Sequence, residues 1–173
     1  MNKLCFLIPV GLTLATTAEA LPESFPIGKP TLECIAHVSR QQSIPVDLML
    51  GVNSVERGNT GQLVKNTNAT YDIGAFQINT IHLPMVRSQF SGTQDDLANR
   101  GCFNAFVATH LMRQALHHPK KQHLDFYTRA SGYHSWTPKH NQVYRQKLVS
   151  YTRQWQNWLE GSGHAYLVTA PRL

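Results

Sequence analysis

The stretch LMLGVNSVERG, residues 48–58, places a glutamate on the apolar side of a predicted helix. At about 100° per residue, Met49 and Val52 share one helix face, and Glu56 falls on that same face. Glu56 also lies in the last turn, before Gly58 as the predicted cap, where the helix dipole disfavours a carboxylate by roughly 0.3–1 kcal/mol. A side chain that reaches around to water and a functional carboxylate are both compatible with this stretch.

The first twenty residues have the composition of a secretory signal peptide. Lys3 precedes an apolar run from Leu4 to about Leu14, and Ala18-Glu19-Ala20 forms a cleavage motif. The apolar run is too short to cross a bilayer as a helix. We therefore predict a signal peptide at residues 1–20, one domain at residues 21–173, no stable membrane anchor, and a periplasmic or secreted location.

The charge balance narrows the possible partners. The net charge of +6 could attract nucleic acid, anionic lipid or an acidic polymer. Export makes nucleic acid the weakest of these, and we predict no nucleic-acid partner.

The cysteines and histidines bear on disulfides and metals. Cys34 and Cys102 remain after the signal peptide, and two cysteines in an oxidising compartment favour one disulfide over two buried free thiols. Such a bridge would stabilise the fold by roughly 4 kcal/mol in the chain-entropy model. The nine histidines form no H-E-x-x-H motif, so we predict no metal site and no cofactor.

Hydrophobic periodicity predicts a compact, mainly α domain with a polar loop or short hairpin around residues 58–80. Pro84 is expected to end or kink the apolar segment before it. The predicted helices span residues 32–41, 45–56, 102–116, about 123–130, and 138–160.

Three motifs in order give the chain a family resemblance. Glu56 is followed by Gln77 in YDIGAFQIN and by Tyr133 in ASGYHSWTPKHNQVY. Together they resemble the catalytic domain of lytic transglycosylases of the soluble type, which has a goose-lysozyme-like fold. NTNATYDIGAFQINTIHLP, GCFNAFVA and YHSWTPKHNQVY most resemble the specialised enzymes of type IV secretion, conjugation and pilus systems. The resemblance implies a lysozyme-like α+β fold.

The resemblance also implies roles for individual residues. Glu56 matches the catalytic acid/base, Gln77 the sugar-contacting glutamine, and Tyr133 the tyrosine that orients the glutamate or the substrate. Cys34 and Cys102 lie where secretion-associated members have a disulfide. The further candidates for substrate binding are Asn79, Phe76 and His134.

The chain departs from the family pattern beside each motif. Arg57 replaces the usual serine after the glutamate. Gly74-Ala75-Phe76-Gln77 replaces G-L-M-Q, and Gly132-Tyr133-His134 replaces A-Y-N. These changes keep the acid but alter the sugar contacts around it.

The implied function is cleavage of the β-1,4 bond between N-acetylmuramic acid and N-acetylglucosamine by a single glutamate, with a 1,6-anhydro product. The expected partners are peptidoglycan strands and components of a secretion, conjugation or pilus machine, and we expect a monomer. One alternative is a hydrolytic muramidase, which would need a second carboxylate. Asp72 is the candidate, although it could instead tie down the loop before Gly74. The other alternative, motivated by Arg57 and Phe76, is a weakly active wall-binding assembly factor.

Overall fold

The computed structural model describes residues 22–172, so the signal peptide predicted at residues 1–20 lies outside the described part of the chain. The helices are α1 (Leu32–Gln41), α2 (Val46–Glu56), α3 (Leu83–Phe90), α4 (Gln94–Asn99), α5 (Gly101–Leu116), α6 (Phe126–Ala130) and α7 (Pro138–Gly161). The strands are β1 (Leu63–Lys65), β2 (Tyr71–Ile73) and β3 (Ile78–Asn79). They form one antiparallel sheet in the order β1-β2-β3. This architecture confirms the predicted mainly α, α+β fold.

Helix α2 is buried along most of its length and packs antiparallel against α7. Residues Val46 to Val52 are all buried. A Cβ atom on Gly51 would lie 2.5 Å from Thr152 Oγ1 of α7, so the glycine permits a close approach of the two helices. Near the start of α2, Asp47 accepts a hydrogen bond of 2.8 Å from Gln156 in the last turns of α7. The C-terminal end of α2 therefore faces the first turns of α7.

The predicted disulfide is confirmed, and the alternative of two free thiols is wrong. Cys34 in α1 is bonded to Cys102 in the first turn of α5, with a Cα–Cα distance of 5.8 Å. Helix α1 begins where predicted, because the Thr31 side chain accepts a hydrogen bond of 3.1 Å from the Cys34 N–H. The bridge ties these two helices together across 68 positions of sequence.

Two local expectations are wrong. Pro84 lies in the first turn of α3 and does not end a segment, since a proline there sacrifices no helical hydrogen bond. Arg57, and not Gly58, takes the left-handed conformation that ends α2 (φ 53°, ψ 24°). Gly58 meets a different requirement, because a Cβ atom there would lie 2.1 Å from the Gly74 carbonyl oxygen.

No helix within residues 22–172 is both long and apolar enough to cross a membrane.

Candidate active site

Glu56 is the last residue of α2 and is held by α7. The buried Tyr144 donates a hydrogen bond of 2.6 Å from its hydroxyl to Glu56 Oε1. Burial of the carboxyl raises the pKa of Glu56 to about 7, and the negative charge of Asp72 adds to the rise. The Tyr144 hydrogen bond and the positive charge of Lys147 lower this pKa and so limit the rise. Glu56 can therefore hold a proton at weakly acidic pH and exchange it near neutrality.

Two cavities meet at Glu56 and His134, which line both. The first, of about 330 Å³, opens toward the sheet, and the second, of about 380 Å³, runs along the start of α7. The first is lined by Glu56, Asp72, Gln77, Ile78, Asn79, Ile81, His82, Leu111, Tyr133 and His134. The second is lined by Val55, Glu56, His134, Lys139, His140, Val143, Tyr144 and Lys147. Glu56 thus separates an amide-rich cavity from a basic one.

A larger cavity, of about 570 Å³, lies between α1 and the C-terminal segment. Its carboxylate is Glu33, which is exposed in the first turn of α1. Hydrogen bonds from its own backbone N–H and from the Thr31 hydroxyl lower the pKa of Glu33. This carboxylate stays ionised near neutral pH, so the cavities at Glu56 are the better candidates for acid catalysis.

The turn at residues 74–77 is positioned by a buried asparagine that sequence reasoning missed. Asn104 of α5 accepts a hydrogen bond of 2.8 Å from the Phe76 N–H and donates to the carbonyls of Ile73 (3.0 Å) and Leu97 (2.9 Å). A Cβ atom on Gly74 (φ +71°) would collide with the Asn104 side chain. An amide among apolar neighbours in GCFNAFVA was the signal for this residue, because buried polar groups in a core require partners.

Gln77 lines the first cavity, as expected of a ligand-contacting residue. Its backbone adopts a positive φ of 50°. Its Nε2 donates a hydrogen bond of 2.8 Å to the Gly74 carbonyl. That bond fixes the amide plane and leaves Oε1 as an acceptor for a ligand.

Asn79 also lines this cavity, but its side chain is engaged within the protein. Nδ2 donates to Asp72 Oδ1 (2.7 Å) and Thr70 Oγ1 (2.9 Å), while Oδ1 accepts from the Ile81 N–H (3.1 Å). Both amide hydrogens are thereby used, so Asn79 mainly orients Asp72. A sugar contact by Asn79 stays a prediction.

The tyrosine that holds Glu56 is Tyr144 and not Tyr133. Tyr133 lines the first cavity and donates its hydroxyl to the Phe76 carbonyl at 2.9 Å. Burial raises the pKa of Tyr133 well above its usual value. The expectation that Tyr133 orients the glutamate is therefore wrong, and its alternative role in orienting a substrate stays a prediction.

Two further residues, Phe76 and His134, were expected to bind substrate; the expectation is wrong for Phe76 and stays a prediction for His134. Phe76 is fully buried, so the expectation that its side chain binds substrate is wrong. The turn directs this side chain into the core and leaves only its carbonyl for Tyr133. His134 lies between the cavities and stacks on Tyr144, with ring centroids 4.8 Å apart and planes 5° apart. Arg57 is directed away, toward the Tyr151 hydroxyl.

We expect Tyr144→Phe to raise the pKa of Glu56 above that of the wild type. The hydroxyl stabilises the ionised carboxylate, so its removal favours the protonated form. A ¹³C NMR titration of the Glu56 side-chain carboxyl in both proteins measures the shift. Tyr151→Phe, which removes a hydroxyl bonded to Arg57, is the matched control and should leave the titration unchanged. An equal or lower pKa in Tyr144→Phe would contradict the assigned contact.

Comparisons with known proteins give no information on the function of this site. No protein-family model matches the chain, and no curated protein matches it significantly. Within residues 22–172, no group of three or more His, Cys, Asp and Glu side chains is placed to hold a metal ion. Glu56, its neighbours and the two cavities are therefore the features of the chain that indicate its function.

Proposed function

We propose that the protein is a peptidoglycan lytic transglycosylase that uses Glu56 as its acid and base. The observation that carries the proposal is the half-buried Glu56 carboxyl, whose pKa is raised by desolvation to about 7 at the junction of two cavities. A general acid works best when its pKa lies near the operating pH. The order of the motifs around Glu56, Gln77 and Tyr133 supports the same reaction class.

In the first step, protonated Glu56 donates its proton to the glycosidic oxygen between N-acetylmuramic acid and N-acetylglucosamine. The C1–O bond breaks, and an oxocarbenium-like centre forms with assistance from the substrate acetamido group. Because Oε1 accepts the Tyr144 hydrogen bond, Oε2 is the oxygen that carries the transferable proton. The Tyr144 hydroxyl then stabilises the carboxylate that remains.

In the second step, the Glu56 carboxylate removes the proton from the C6 hydroxyl of the muramic acid. The C6 oxygen bonds to C1, which yields a 1,6-anhydro sugar and restores protonated Glu56. One carboxylate serves both steps, since a pKa near neutrality lets it give up and regain a proton readily. Gln77 Oε1 and Tyr133 in the adjoining cavity are the proposed substrate contacts.

The proposed role is to open the cell wall locally for a secretion, conjugation or pilus apparatus, in the periplasm or outside the cell. The resemblance of YHSWTPKHNQVY and NTNATYDIGAFQINTIHLP to enzymes of those systems supports this role. Components of such a machine are the proposed protein partners.

A hydrolytic muramidase is the second candidate, because Asp72 lines the same cavity as Glu56. In that mechanism Asp72 would stabilise the cation or activate water. Its bond to Asn79 favours the structural role instead, since it ties β2 to β3. If Glu56 acts alone, the Asp72→Asn variant should still cleave the strand. Its activity should fall off at a lower alkaline pH than that of the wild type, because one negative charge that raises the pKa of Glu56 is gone.

The identity of the released sugars tests the proposal. We expect mass spectrometry of purified murein treated with wild type to show anhydromuropeptides, each lighter by one water than the hydrolytic product. Reducing-end products that disappear in Asp72→Asn would establish the muramidase instead. Strand binding without any release would support the assembly factor and contradict the enzyme.

A further inference from the structure

The cavity along α7 carries positive charge that is not used in the salt bridges of the described part of the chain. Lys139, Val143 and Lys147 follow at intervals of four residues and so share one face of α7. The salt bridges within residues 22–172 use Arg100, Arg145 and Arg172 as their cations. Lys139 and Lys147 are both exposed, and neither is in one of these ion pairs. His140 adds a further titratable group to the same cavity.

This positive charge lies next to the proposed catalytic acid. Glu56 forms part of the cavity wall, and Lys147 lies close enough to influence its ionisation. In the proposed mechanism, a group of the glycan strand that binds in this cavity lies beside the glycosidic bond. While Glu56 is protonated it carries no charge, so it does not repel an anion that binds next to it.

The geometry favours a carboxylate on a flexible arm. Lys139 and Lys147 are separated by about 12 Å along the helix axis, with the exposed Val143 between them. The two ammonium groups can thus pair with a carboxylate at either end of a cavity whose middle is apolar. Glycan strands of the wall carry such carboxylates, either on the lactyl group of a stripped muramic acid or on an attached peptide stem.

We propose that Lys139 and Lys147 form an anion subsite that binds a carboxylate of the glycan strand next to the bond that Glu56 cleaves. This proposal rests on the proposed function for the identity of the polymer. It adds a substrate preference, because strands that carry free carboxylates bind better than neutral strands of equal length. It also assigns a use to the net charge of +6.

Strand binding to a Glu56→Gln form tests the subsite without turnover. Two ligands are used: strands that keep their peptide stems, and strands stripped by an amidase, which carry the free lactyl carboxylate. Each is also prepared with its carboxylates capped as methylamides. Fluorescence anisotropy at low salt and above the ordinary histidine pKa of about 6.5 measures each affinity.

We expect capping to weaken binding by about 3- to 10-fold, as one or two partly exposed ion contacts, depending on how many carboxylates reach the cavity, would give. The ligand that shows the effect identifies the source of the carboxylate, lactyl or stem. Lys139→Gln/Lys147→Gln in the same background should bind capped and uncapped strands equally. The matched control, Lys29→Gln/Lys120→Gln, removes the same charge at two exposed lysines outside the cavity and should retain the preference.

Three results would overturn the subsite. These are equal binding of capped and uncapped strands, an unchanged preference in Lys139→Gln/Lys147→Gln, or no strand binding at all. The proposed function fails separately. If the wild type releases anhydro products but shows no carboxylate preference, the proposed enzyme activity stands and the proposed subsite is wrong. If the carboxylate preference depends on the two lysines but no anhydro products form, the proposed subsite stands and the proposed enzyme activity is wrong.

Discussion

Glu56→Gln is expected to lower the rate of anhydromuropeptide release by about 1,000-fold or more. General acid–base catalysis contributes typically 10²- to 10⁴-fold, and in the proposed mechanism one carboxylate serves as acid in one step and base in the next. Glutamine has nearly the same shape and can still accept the Tyr144 hydrogen bond, so the fold is retained. Single-turnover release of sugars, followed by mass spectrometry, measures the loss.

The same substitution should make the protein more stable above pH 7. Glu56 has a folded-state pKa of about 7 against an ordinary value of 4.5, so the fold favours the protonated carboxyl. Below pH 4.5 both states are protonated and Glu56 costs nothing. Between pH 4.5 and about 7 the unfolded chain gives up this proton while the folded protein keeps it, so stability falls across that range. From about pH 7 upward Glu56 destabilises the fold by up to about 3 kcal/mol. Urea denaturation at acidic and alkaline pH should show the gain only at alkaline pH.

Glu33→Gln is the matched control, because it makes the same chemical change at an exposed carboxylate. The pKa of Glu33 is lowered by its hydrogen bonds at the start of α1, so the fold favours its ionised form. Its replacement should leave cleavage unchanged and should lower stability near neutral pH, opposite to Glu56→Gln. A Glu56→Gln protein that is inactive but no more stable at alkaline pH would show that Glu56 is not desolvated, and would remove the basis of the acid assignment.

The residues that could be predicted are those whose roles follow from local pattern. Helical periodicity alone placed Glu56 on the apolar face of α2, because its position relative to Met49 and Val52 depends only on the helix repeat. Thr31 fixed the start of α1 through a hydrogen bond three residues away. The disulfide followed from counting the two cysteines that remain after residues 1–20.

The errors arose where distant parts of the chain meet. The partner of Glu56 is 88 residues away, and the close approach of α2 and α7 at Gly51 decides that Tyr144 and not Tyr133 reaches it. Phe76 was misplaced because its side-chain direction depends on the left-handed conformation at Gly74 and on the hydrogen bonds of Asn104. No local pattern contains either of these contacts.

Asn104→Leu should lower the free energy of unfolding by about 3–5 kcal/mol, the largest stability effect that we expect for one substitution near the site. Leucine has the same branched outline and number of side-chain heavy atoms, but it has no polar atoms and its methyl groups are bulkier than the amide atoms they replace. The Phe76 N–H and the carbonyls of Ile73 and Leu97 would each lose a partner in the core, and an unpaired buried group costs about 1–3 kcal/mol. Urea denaturation with the disulfide intact measures the change.

Asn104→Asp separates the hydrogen bonds from the packing. Aspartate keeps the shape of asparagine and an acceptor for the Phe76 N–H, but it places a carboxylate oxygen where Nδ2 now donates to two carbonyls. Repulsion and burial would raise the folded-state pKa of this carboxyl above its unfolded value of about 3.9. The variant should therefore be least stable above that raised pKa, and part of the loss should be recovered on acidification, when the carboxyl is protonated and can donate to one carbonyl.

The turn at residues 74–77 carries Gln77 into the first cavity and presents the Phe76 carbonyl to Tyr133. Loss of its anchor should therefore impair strand binding as well as stability, even at temperatures where Asn104→Leu remains folded. Thr109→Val is a suitable comparison, because it removes a buried hydroxyl of α5 that bonds only within its own helix. If both variants bound strands as the wild type does, Asn104 would act only in the core, and the positioning of Gln77 would not depend on it.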